Sequence, residues 1–235
     1  MTALSLPRWT PSPFCTMPEP AVILTRYAAA FARTWTDDTP VAQARFIAFD
    51  SETTGLDAKR DHLVSLGAVA VQAGEILLEQ TFEAMLKIAY NNSMVVIHGI
   101  TRDESLKGRD EAEALLDFLD YLGDGVIIGH HIGYDVAMLN EALTKHFGIT
   151  LRNRTLDTME LTLHLEAAGR LPPGQGDFSL DALCARFGIE PHDRHTAHGD
   201  AYITAQILLK LLRFAARAGR TTLGGVCEPF PVNKA

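Results

Sequence analysis

The run Arg45-Phe46-Ile47-Ala48-Phe49-Asp50-Ser51-Glu52-Thr53-Thr54-Gly55-Leu56 constrains the fold more than any other stretch of this chain. Phe46 to Phe49 form an aromatic and aliphatic run suited to a buried strand. Side chains two apart leave a strand on the same side. A strand that continues to residue 52 therefore carries Asp50 and Glu52 together to its open end. Two carboxylates in a poorly solvated cleft repel each other and lose hydration. A hard divalent cation such as Mg²⁺ or Mn²⁺ relieves that cost, because these ions prefer oxygen ligands. A D-x-E triplet alone is common; its position after a buried strand and before Thr-Thr-Gly-Leu is what marks this one.

The pattern around that strand predicts a mixed α/β fold. Phe46–Asp50, Leu63–Val71 and Glu75–Phe82 read as three successive strands, with Gly74 in the turn joining the last two. Asp110 to Leu122 has helical periodicity, Val126–His130 reads as another buried strand, and Tyr134–Phe147 as a helix closed by Gly148. A short strand before Asp157 and helices around 157–166, 179–187 and 198–217 complete the pattern, with a Gly/Pro-rich loop over 169–178. Three meandering strands followed by alternating strands and helices imply a mixed sheet with helices on its faces. Residues 1–44 read as an N-terminal extension, 45–217 as the main domain and 218–235 as a tail. The extension is irregular through its prolines, then holds one helix whose stripe Ile23, Tyr27, Phe31 and Trp35 suits packing on its own domain. The alternative use of that stripe, over helix 22–36, is a protein partner or self-association.

With 47% apolar and 21% charged residues in 235, the chain has the balance of a globular protein rather than a disordered one. No apolar run approaches the ~20 residues that cross a bilayer, so no membrane role is expected. Three scattered cysteines, Cys15, Cys184 and Cys227, argue against a disulfide framework and for a reducing, cytoplasmic setting. A net charge of −8 weighs against a tight, stoichiometric nucleic-acid binder. It weighs less against an enzyme that holds a short strand end through a few local cations and bound metal.

Further candidates stand at element ends. Asp135 follows Tyr134 near the start of a helix, where a first-turn acid interacting with the helix dipole is the plain structural role. His195-Thr196-Ala197-His198-Gly199-Asp200 opens the last long helix, and an N-cap with ordinary surface histidines would account for it in isolation. Asp157 reads as a helix N-cap.

Together, the D-x-E of the first strand, the Tyr134-Asp135 pair and a His followed five residues on by Asp200 resemble the DEDDh, or DnaQ-like, family of 3′–5′ exonucleases. Val96-Ile97-His98-Gly99-Ile100-Thr101 is similar to that family's His-Gly-Ile-Thr segment. The resemblance covers roughly residues 45–217. It implies an RNase H-like mixed five-stranded sheet flanked by helices and two divalent cations, Mg²⁺ or Mn²⁺. By similarity Asp50 bridges both ions, Glu52 and Asp200 complete the tighter one, and Asp135 holds the second through water. His195 takes the general-base position; His198, two residues from Asp200 on a helix, points to a different face. A near-neutral intrinsic pKa suits His195 to that work. The implied substrate contacts are the backbone from Ser51 through Thr53 to Gly55, a wedge at Leu56, and a pocket lined by His98, Ile100 and Tyr134. Core packing is the alternative for Leu56 and Ile100. One departure is visible: His131 stands where the family often has Asn, which puts a substrate contact in question.

The implied reaction releases 5′-mononucleotides from 3′ ends of nucleic acid, single-stranded DNA being favoured and RNA the alternative. A non-catalytic binding module is disfavoured by the intact Asp50, Glu52, Asp135, His195 and Asp200. A zinc site from Cys184, His192, His195 and His198 lacks the tight paired spacing such sites show. The extra length before residue 45 and the short stretch after 217 suggest a stand-alone or differently tethered exonuclease.

Overall fold

A computed structural model describes residues 19–33, 35–87, 108–174 and 176–227. His98 and Ile100, with the segment around them, lie outside the described residues. The strands are β1 (Phe46–Thr53), β2 (Leu63–Gln72), β3 (Glu75–Met85), β4 (Val126–Gly129) and β5 (Thr155–Asp157). The helices are α1 (Pro20–Ala30), α2 (Glu111–Leu122), α3 (Ile132–Phe147), α4 (Thr158–Ala167), α5 (Leu180–Phe187), α6 (Ala197–Arg217) and α7 (Leu223–Cys227). No helix among them is long and apolar enough to cross a membrane.

The five strands make one sheet in the order β3-β2-β1-β4-β5. β1, β2 and β3 pair antiparallel, while β4 and β5 run parallel to β1. The expected mixed sheet flanked by helices is therefore what forms. β1 lies in the middle, and the two-residue alternation splits its side chains between two cores. Phe46 and Ala48 join Leu161, Leu183, Ile203, Leu208 and Leu211 on the face covered by α4, α5 and α6. Ile47 and Phe49 face Ile23, Phe118, Leu119 and Leu139 of α1, α2 and α3. Burial on both sides explains why this strand reads as an unbroken apolar run.

The elements start and stop for local reasons. Asp110 caps α2 by accepting from the amides of Ala112 (2.9 Å) and Glu113 (3.2 Å). Asp157 caps α4 through Met159 (2.8 Å), and its second oxygen accepts from the Ile132 amide at the start of α3 (3.0 Å). One carboxylate thus ties two helix N-termini to the end of β5, the structural role read for Asp157.

Both flanks of the central domain pack against it. Ile23 and Tyr27 are buried, and the Tyr27 hydroxyl donates to Asn153 (2.6 Å) while accepting from the Arg152 amide (2.9 Å). Two residues of the expected stripe, Ile23 and Tyr27, are thus used internally, while Phe31 and Trp35 lie beyond the end of α1 and are half-buried. Beyond residue 217 the chain returns to the core: Val41 donates to the Thr221 carbonyl (2.8 Å) and Leu223 to that of Thr39 (2.9 Å), with Leu223 and Val226 buried. The packing therefore runs past the position where the sequence suggested a tail.

Candidate active site

The site is assembled at the C-terminal end of β1, where the side-chain parity of Phe46 and Ala48 delivers Asp50 and Glu52 to the α6 side of the sheet. Asp50 pairs across the ladder with Gly67 of β2. A Cβ on residue 67 would stand 2.2 Å from the Ala197 carbonyl carbon and the His198 nitrogen. Lacking one, residue 67 lets the first turn of α6 lie directly on the strand, which brings Asp200 beside Asp50 and Glu52. Thr196 caps that turn by accepting from the Gly199 amide (3.1 Å), and its hydroxyl donates to the Asp193 carbonyl (2.6 Å). Gly199 is needed there, since a Cβ would lie 2.1 Å from the same carbonyl oxygen. Carboxylate oxygens of Asp50, Glu52 and Asp200 consequently all lie within 4.8 Å of one another.

Asp135, in the first turn of α3, approaches from the other side of the strand. One of its oxygens accepts from the Ser51 amide (3.0 Å) and the Ser51 hydroxyl (2.6 Å). It stands outside the group of three, yet close enough that its charge is the strongest electrostatic influence on Asp50. Burial, then the charges of Asp135, Asp200 and Glu52, hold the Asp50 carboxyl well above its usual range; Arg194 opposes them. Burial pushes Asp135 up to about 7, against the two hydrogen bonds from Ser51. An all-oxygen set of half-buried to buried acids that resist ionising together fits a hard divalent cation. The Cys184, His192, His195 and His198 set is not drawn together among the described residues, and Cys184 is buried in the apolar core.

His195 is exposed in the loop before α6, at a left-handed φ of 62°. Together with Glu52, Ser65, Glu83 and His198 it lines a small cavity of about 100 Å³. The Nδ1 of His198 is buried without a hydrogen-bond partner. Arg194, next to His195, was not marked by any spacing rule. Its Nη1 donates to both oxygens of Asp200, while its Nε and Nη2 donate to Asp181 (2.6 and 3.3 Å). An arginine beside a histidine carries no signal in sequence; only the fold brings it to the acids.

The residues expected to hold substrate form a braced rim. The Thr53 hydroxyl donates to the Gly55 carbonyl (2.9 Å), the Tyr134 hydroxyl donates to the same oxygen, and the two hydroxyls lie 3.1 Å apart. Asp61 accepts from Thr54 Oγ1 (3.0 Å) and the Asp57 amide (2.8 Å), in space that a Cβ on Gly55 would invade. This bracing projects Leu56, 86% exposed, which removes core packing as its role. Ser51 turns its hydroxyl to Asp135, so the structure gives its side chain a bracing role within the site. His131 adopts a left-handed conformation (φ 60°, ψ 39°) ahead of α3. Asn and His are both enriched at such positions, which gives a backbone reason for exchanging one for the other. Its ring stands edge-on to His130, 4.8 Å between centroids.

A mixed five-stranded sheet in this order, flanked by helices, is an RNase H-like fold. The family described as Exonuclease matches residues 47–208, and the chain belongs to that DnaQ-like family. The chain is 30% identical over 170 residues to the DNA polymerase III subunit epsilon of Aquifex aeolicus, covering 71% of this chain and 80% of that protein. It is 35% identical over 178 residues to the DNA polymerase III PolC-type of Bacillus subtilis, covering 74% of this chain but 12% of that much longer protein. Exonuclease I of E. coli, solved with a dT13 oligonucleotide, has a similar fold, with a TM-score of 0.66, 20% identity, and coverage of 75% and 43% of the two chains.

Proposed function

We propose that this exonuclease removes 5′-mononucleotides from the 3′ end of single-stranded DNA with two divalent cations, Mg²⁺ or Mn²⁺. The observation that carries this reading is the convergence of Asp50, Glu52 and Asp200 within 4.8 Å, beside a cavity that Glu52 shares with His195. Asp50, Glu52 and Asp200 hold the metal, and Asp135 supports a second ion from its seat on Ser51. When bound, the ions neutralise charge on the attacking and leaving oxygens of the phosphodiester.

The chain's own groups supply the rest. His195, exposed on a loop beside the acids, accepts the proton of the attacking water. Leu56 projects far enough to wedge against the terminal base, and the Thr53–Gly55–Tyr134 bracing fixes the backbone that faces the terminal nucleotide. Contact with an apolar side chain is tolerant of base identity, which suits an enzyme that works along a strand. The relation to epsilon and PolC-type polymerases, and the fold shared with an exonuclease I bound to dT13, favour DNA over RNA.

Single strands labelled at either end, as DNA and as RNA, separate the readings. With metal, 3′-labelled DNA should lose its label as a mononucleotide before any shortening of the 5′-labelled strand reaches completion. Early loss of a 5′ label would refute the polarity, and faster digestion of RNA would exchange the substrate. His195→Ala should slow single-turnover hydrolysis by about 10²–10⁴. An unchanged rate removes it as the base and points to His198, which lines the same cavity.

A further inference from the structure

We infer that Arg194 is a built-in counter-cation of the acidic cluster, one that competes with divalent metal for Asp200 and stays anchored on Asp181 when metal is held. This rests on the metal-dependent reading above. The guanidinium is divided between two carboxylates. Its Nε and Nη2 grip the two oxygens of Asp181 at 2.6 and 3.3 Å, while Nη1 alone reaches both oxygens of Asp200. Those Asp200 oxygens belong to the group that could hold a metal ion. A carboxylate oxygen saturated by a guanidinium N–H does not offer the same lone pairs to a cation, and the two positive charges repel at such range.

The asymmetry of the anchor makes the exchange feasible. Asp200 is nearly buried and Asp181 is largely exposed, with 10% and 62% of their side chains accessible. Releasing Asp200 costs the guanidinium one nitrogen's contacts and leaves its two-donor grip on Asp181 intact. Asp181 sits in the first turn of α5, on a separate element from Asp200. Arg194 also adjoins His195 in a loop where both Asp193 and His195 have positive φ, so the Asp181 anchor helps hold that loop in place. The arrangement balances the acids in the absence of metal at the expense of metal affinity.

Calorimetric titration with Mn²⁺ alone, on the full chain, tests this without reference to turnover. Arg194→Gln should tighten Mn²⁺ binding by a factor on the order of 10, the scale of one lost charge-assisted pair. Asp181→Asn, an exposed change that leaves the core intact, should weaken it, because Arg194 then has only Asp200 to hold. In the double variant the Asp181 effect should vanish, since it acts through Arg194. Unchanged or weaker binding in Arg194→Gln, or an Asp181→Asn effect that persists undiminished in the double variant, would overturn the inference. Asp50→Asn serves as the control. If it binds Mn²⁺ as the parent does, the metal-site reading itself fails. If it loses Mn²⁺ while Arg194→Gln gains nothing, only the competition fails.

Discussion

Asp50 carries a heavy electrostatic cost, since it is desolvated and faces the charges of Asp135, Asp200 and Glu52. Its carboxyl and that of Asp135 both titrate above the ordinary carboxylate range, Asp135 at about 7. Between pH about 4 and about 7 the folded protein therefore keeps protons that the unfolded chain has already released. Metal-stripped protein should lose thermal stability as pH rises through that window, and Mn²⁺ should abolish the loss. Asp50→Asn should flatten the slope and stabilise the metal-stripped protein near pH 7.5, by an amount on the order of 1–3 kcal/mol, while abolishing hydrolysis. A melting temperature that climbs from pH 5 to 7 in the stripped protein would contradict the assigned shifts. The pairing of Asp50 with Glu52 was legible in sequence because strand periodicity is local. The seat of Asp135 on Ser51 was not, because it joins residues from β1 and α3 whose approach depends on how the helix packs.

At the scale of elements, the contact between α6 and β2 decides whether the acids meet. Helical periodicity predicts a helix over 198–217, and α6 spans Ala197–Arg217. Nothing in that periodicity tells how closely the helix lies on the sheet. Gly67 does, because any side chain there collides with the Ala197–His198 backbone. Gly67→Ala should lift the N-terminus of α6, costing about 1–3 kcal/mol of stability and weakening Mn²⁺ binding together with hydrolysis. Urea unfolding paired with Mn²⁺ titration checks this; a variant with parental metal affinity would show that the close approach is dispensable. β1 also runs four residues past the apolar stretch because Asp50, Ser51, Glu52 and Thr53 still pair with β2, through a shift in register after Glu52. Polar side chains at a functional strand end hide a ladder that the backbone nevertheless makes.

Across the whole molecule, the site stands on a sheet whose two faces are covered by segments from both flanks of the chain. α1 closes one core through Ile23 and Tyr27, and α7 closes the other through Leu223 and Val226. The stretch 218–227 carries Gly219, Gly224 and Gly225 and too little apolar length for a period, so it reads as a tail. Its burial comes from pairing with residues 37–41, far away in sequence. Leu223→Ala should cost about 2–4 kcal/mol in urea unfolding through the cavity it leaves, with the Mn²⁺ requirement of hydrolysis unchanged. A negligible loss would mean that the returning C-terminal segment contributes little to the fold.

The residues alone determined the mixed sheet, the order of its elements and the candidate acids, because alternation, helical period and capping act over a few neighbours at a time. The tertiary structure decided what those acids face. It placed Arg194 against Asp200, turned Ser51 to Asp135, freed Leu56 from the core and folded the C-terminal segment back on the domain. Each of these depends on the distance between elements remote in sequence, and that distance is set by packing rather than by any local pattern.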